Sequence, residues 1–131
     1  MIRLVTNLRF ALLADAVASG ATALMMIAGA DLLTGLLGLP VALTRGAGLV
    51  LVPYVAFVAF VGTRPHISHG AVKAIVAMNI AWVLASVGLL AGGFVALTAL
   101  GYAFVIFQAV VVGVFAELQI IGLRRERVAA A

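Results

Sequence analysis

The chain contains no cysteine. That absence excludes disulfide staples, thiolate metal sites and a cysteine nucleophile, and it leaves the redox compartment open. Charge is scarce too: 9% of the 131 residues are Asp, Glu, Lys or Arg, against roughly 25% in soluble domains. No nucleophile paired with a base, no glycine-rich phosphate loop and no cluster of metal-binding side chains occurs, so an enzyme is not expected, nor any cofactor. His66 and His69 form an H-x-x-H pair without a third ligand, which is too little for a metal site.

What fills the chain is hydrocarbon. Hydrophobic residues make up 66%, and the mean hydropathy is +1.34. A soluble fold of this size has too little interior to hide so much apolar surface, so the expected solvent is lipid. A bilayer core about 30 Å thick takes about 20 apolar residues as a helix. Four segments qualify, at about 8–29, 41–61 (with Pro53 inside), 71–94 and 97–123. Strands alternating polar and apolar residues, as in a membrane barrel, are absent. The expected fold is all-α: a single integral membrane domain over 1–131, a four-transmembrane-helix bundle of two tandem helical hairpins.

The connections differ in kind. "DLLTGLLGLP", 31–40, is too short to span and predicts a bent helical turn lying in the interface. "GTRPHISHG", 62–70, is a polar loop in which Pro65 stops the second helix. "GGF", 92–94, predicts a tight hairpin. With four spans both termini and the polar loop share one side. That side carries Arg3, Arg9, Arg64, Lys73, Arg124, Arg125 and Arg127, and the other keeps Arg45. The positive-inside rule puts the richer side in the cytoplasm. The net charge of +4 therefore reads as membrane orientation, with the lipid bilayer as partner and no nucleic acid. "MIRLVTNLR" has the look of a signal-peptide n-region, but the apolar stretch after it is long, carries Asp15 and lacks a cleavage site, so a retained span is expected.

Ionisable groups at membrane depth cost a few kcal/mol and face protein or water. At 1.5 Å per residue Asp15 lies about 10 Å from the basic boundary. Asn79, six residues after Lys73, and Glu117, seven before Arg124, fall at a similar depth. Asp15 and Asn79 are expected to share one polar site, as a ligand or proton site or as a structural pair. Ser19, Thr22 and Met26 continue the Asp15 stripe, and Ser86 shares the face of Asn79. On the fourth helix Gln108 and Gln119 align while Glu117 points about 180° from Gln108. One of Gln108 and Glu117 should turn inward, and the other should meet headgroups or a partner chain. Arg45 is expected to pair with Asp31 at the surface or to hold an anion or lipid headgroup. Gly88, Gly92 and the alanines at 77, 81 and 85 are expected to form close-packing surfaces. Tyr54 and Trp82 read as core.

At "LLADAVASG", "LPVALTRGAGLVLVPY" and "AELQIIGLRR" the chain resembles a widespread group of small, uncharacterised bacterial four-helix integral membrane proteins. The resemblance implies a bacterial inner membrane and no mechanism. In architecture the chain is also similar to the small multidrug resistance transporters. Those proteins exchange protons for cationic drugs through a glutamate in helix one, where Asp15 would stand, nearer the cytoplasmic end and in a different local sequence. The expected function is non-enzymatic association through helix faces, as a homo-oligomer or within a larger membrane complex. The alternative is a proton-linked carrier or binder of a small or lipophilic molecule using Asp15.

Overall fold

The computed structural model describes residues 7–93 and 96–130, with side chains described as far as 126. The described chain forms five helices and no strand: α1 (Leu8–Ala28), α2 (Ala30–Leu37), α3 (Val41–Thr63), α4 (His69–Gly92) and α5 (Ala99–Ala130). All but α2 are long and apolar enough to cross a membrane, and the chain is a multi-pass membrane protein built as an all-α bundle. The expected segment at 31–40 is α2, a separate short helix. The "GGF" hairpin lies partly outside the described residues; its Gly93 has a φ of 65°.

Capping sets boundaries that hydropathy alone misses by two residues. Asn7 accepts a hydrogen bond from the Phe10 amide at the start of α1. Ser68 caps α4 by accepting from Ala71 N, so the helix begins at His69 and not at 71. Thr98 caps α5, accepting from Gly101 N at 3.0 Å, which moves its start from 97 to Ala99. The same hydroxyl donates to Leu36 O at 2.7 Å and ties the C-terminus of α2 to α5. Gly38, at φ 80°, makes the left-handed turn that ends α2 ahead of Pro40. At its far end α5 runs past the apolar stretch, because Leu, Arg, Glu and Ala are all good helix formers.

α1 packs chiefly on α3 and α4 on α5, as two antiparallel pairs. The pairs join through α1 and α5, whereas α3 and α4 scarcely touch. The main apolar core (Leu8, Leu12, Val58, Val72, Ile75 and neighbours) lies toward the basic end. A smaller core of Ala23, Met26 and Leu51 lies toward the opposite end. Large side chains such as Val17, Leu24, Leu84 and Phe107 face outward, as a lipid-facing surface requires. Close approach uses glycines other than the expected ones. A Cβ on Gly48 would lie 2.9 Å from Ile27, and one on Gly122 would lie 2.8 Å from the Leu8 Cα. Gly88 meets nothing, and Ala77 and Ala81 are exposed. The small-residue stripe of α4 therefore faces away from the bundle, a correction that follows from α4 meeting α5 on its other side.

Candidate functional site

Asp15 is 2% exposed, one third of the way along α1. Each of the other spans sends it one side chain. From α5, Gln119 Nε2 donates to Asp15 Oδ2 at 2.7 Å. From α4, Asn79 Nδ2 donates to the same oxygen at 3.2 Å and to Gln119 Oε1 at 3.0 Å. From α3, the Tyr54 hydroxyl lies 2.6 Å from Asp15 Oδ2 and 2.7 Å from Asn79 Oδ1. Within α1, Ser19 Oγ donates to Asp15 Oδ1 at 2.9 Å. Asn79 and Gln119 are buried as deeply as Asp15. Buried polar groups in lipid must satisfy one another, and four spans converge here to do so.

The cluster is electrically unusual. The ion pairs among the described residues are Arg45–Asp31 and His69–Glu126, and Asp15 belongs to neither. Its partners are neutral. The Tyr54 hydroxyl has one proton and two short oxygen contacts, so it donates to Asp15 or to Asn79 at a given moment. A proton added to the carboxyl lets both contacts form together, closing a ring through Asp15, Tyr54, Asn79 and Gln119. The arrangement can thus register the gain or loss of one proton by reorienting one hydroxyl.

Asp15 and Asn79 meet as the depth argument expects. Glu117 does not join them: it is exposed. Gln119, two residues on and about 200° further round the helix, takes the place. Gln108 does turn inward, but into a second group about two to three helical turns further from the basic end. There Trp82 Nε1 donates to Gln108 Oε1 at 2.6 Å, and Gln108 Nε2 donates to Ser86 Oγ at 2.9 Å. Arg45 reaches Asp31 at 3.8 Å, an exposed pair worth little. His69 bonds Glu126 at 2.9 Å across α4 and α5, and His66 and His69 line one pocket beside Arg9 and Pro65.

Tyr54 is the residue that sequence reasoning missed. Pro53 just before it removes one helical hydrogen bond in α3, and a phenol beside such a break at membrane depth is the signal that marks it. Above the second group, between α3 and α4, lies a cavity of about 230 Å³. Its walls are apolar apart from Thr22, Thr44, Ser86, Gln108 and the Trp82 indole. No protein-family model, curated protein or solved structure matches the chain.

Proposed function

We propose that the chain is a non-enzymatic protein of the bacterial inner membrane, with both termini in the cytoplasm, that binds or carries a small lipophilic molecule in step with a proton on Asp15. One observation carries the reading: a carboxyl group at membrane depth is held by four neutral side chains, one from its own helix and one from each other span. A carboxyl serving only to glue helices would be served as well by an amide, which needs no proton. An intramembrane acid is by default a relay or binding group. The orientation is supported by the end that gathers Arg9, Arg64, Lys73, Arg124 and Arg125. There Arg9 donates to Gly62 O at 2.6 Å, which ties the start of α1 to the end of α3.

The test uses reconstituted vesicles with an internal pH dye and two probes, octanol as a neutral lipophile and tetraphenylphosphonium as a cationic one. Wild-type protein should move protons on addition of one of the two, and Asp15→Asn should not. No proton movement in wild type, or equal movement in both proteins, overturns the reading.

A second reading, association with another copy or a larger complex, is favoured by the outward stripe of Ala77, Ala81 and Gly88 on α4 and by exposed Glu117 on α5. Its measure is the mass of the protein solubilised in detergent. A monodisperse monomer with no co-purifying partner would remove it.

A further inference from the structure

Thr44 stands apart from the other described helical hydroxyls, of which Ser19 donates to the Asp15 carboxylate. Thr22, Thr34, Thr63 and Ser86 each donate to the carbonyl four residues earlier, at 2.7–3.0 Å. That back-bond is how a hydroxyl is satisfied at low cost in an apolar helix. Thr44 is 1% exposed and does not make it. Among the described residues its Oγ1 is the buried side-chain polar atom without a partner. The Pro40 carbonyl four residues back is within reach, since it accepts from Thr44 N at 3.0 Å. Thr44 is also one of the residues that line the cavity between α3 and α4.

The rest of the cavity defines what would meet it. The polar groups at its inner floor are already committed: Trp82 to Gln108, Gln108 to Ser86 and the Val105 carbonyl, Ser86 to the Trp82 carbonyl. Leu43, Ala47, Leu89 and Phe104 supply hydrocarbon. No charged side chain lines it. A charged ligand would be desolvated there without a counter-ion, at prohibitive cost. A pure hydrocarbon would leave Thr44 unpaired. Both exclusions leave one class of molecule.

We propose that this cavity binds an uncharged lipophile with a single hydroxyl or carbonyl group, its polar atom on Thr44 Oγ1 and its hydrocarbon body against Trp82. The weak α3–α4 contact supplies a lateral way in from the bilayer. This deepens the carrier reading by naming the chemical class of the molecule, and it rests on that reading only for the coupling to Asp15.

Trp82 is the one tryptophan of the chain, so a bromine in the cavity is reported by quenching of its fluorescence. The protein in lipid bilayers is titrated with bromooctanol and, separately, with bromooctane, both brominated at the chain end. Bromooctanol should quench saturably, and bromooctane only in proportion to its membrane concentration. Thr44→Val should weaken the bromooctanol response about tenfold, the worth of one hydrogen bond, and Thr44→Ser should retain it. Equal saturation by both probes, an unchanged response in Thr44→Val, or no saturable phase overturns the proposal. So does saturable quenching by a brominated phospholipid, which would make the cavity an acyl-chain groove. The titration is repeated in Asp15→Asn, where saturation should persist. Loss of proton movement with quenching intact leaves the binding site standing, and the reverse result leaves the proton site standing without this ligand.

Discussion

Toward the basic end of the bundle, polar groups from four spans face one another and hydrogen-bond among themselves. Toward the opposite end, Thr44 lines a cavity and its buried hydroxyl has no partner among the described residues. The two regions lie along the same helices, Asn79 and Ser86 on one face of α4, so the contrast is not one of composition. It follows from packing. At the basic end a larger core of Leu8, Leu12, Val58, Val72 and Ile75 draws all four spans together. Toward the other end the core is smaller, Ala23 and Met26 of α1 with Leu51 of α3, and α3 and α4 scarcely touch. In lipid there is no hydrophobic gain from closing that gap, because lipid tails are as apolar as leucine. A cavity can therefore persist where a soluble core would collapse or lose stability. One half is built as a closed polar lock, the other as an open apolar slot.

The sharpest way to break the closed half is Asp15→Ala. The substitution leaves Gln119, Asn79, Tyr54 and Ser19 without their shared acceptor. Interhelical hydrogen bonds in membranes average about 0.6 kcal/mol each, and stranded buried donors cost more. The expected loss is about 2–4 kcal/mol in detergent-titrated unfolding, with Asp15→Asn losing clearly less. Equal stability of Asp15→Ala and wild type would show that the cluster does not hold the spans together.

Next in size is Gly122→Ala. The added methyl would meet the Leu8 backbone, which no rotamer change can move aside. Separating α5 from α1 at the closed end should cost about 1–3 kcal/mol. Gly113→Ala, on the same helix with nothing within 4 Å, is the matched control and should be neutral or slightly stabilising through helix propensity. Tyr54→Phe comes third, at about 0.6–1.7 kcal/mol, since the ring still packs and only its hydroxyl contacts are lost. In the vesicle assay, however, Tyr54→Phe should slow proton movement more than its stability loss accounts for, because the reorienting hydroxyl is gone.

The same contrast explains how much was legible in advance. Four spans and a short segment that does not span follow from length and hydropathy, because lipid imposes length and composition directly. Depth along a helix was equally legible, and it paired Asp15 with Asn79 correctly. Azimuth was not. Glu117 and Gln119 share nearly the same depth, and only the side on which α5 meets α1 decides which turns inward. The α4 stripe of Ala77, Ala81 and Gly88 misled for the same reason: small residues mark a surface fit for packing but not which neighbour uses it. Tyr54 was hidden by its aromatic ring, which reads as core until its hydroxyl is found between two polar groups. The cavity had no sequence signal, since it arises from two helices failing to meet.

The smallest expected stability effect is also the one that separates the two halves most cleanly. Thr44→Val replaces a hydroxyl with a methyl of nearly the same shape, so the cavity keeps its volume and its walls. In the closed half, removing a polar atom strands its partners. Thr44 Oγ1 has no partner to strand among the described residues, and its own burial without a hydrogen bond already costs about 1–3 kcal/mol. The variant should therefore unfold at the same detergent fraction as wild type or up to about 1 kcal/mol later, the reverse in sign of Tyr54→Phe. Adding bromooctanol should stabilise wild type but not Thr44→Val, because a ligand stabilises only in proportion to its binding. A loss of stability in Thr44→Val without added ligand would mean that the hydroxyl supports the fold, and the slot would then be a packing feature of the bundle.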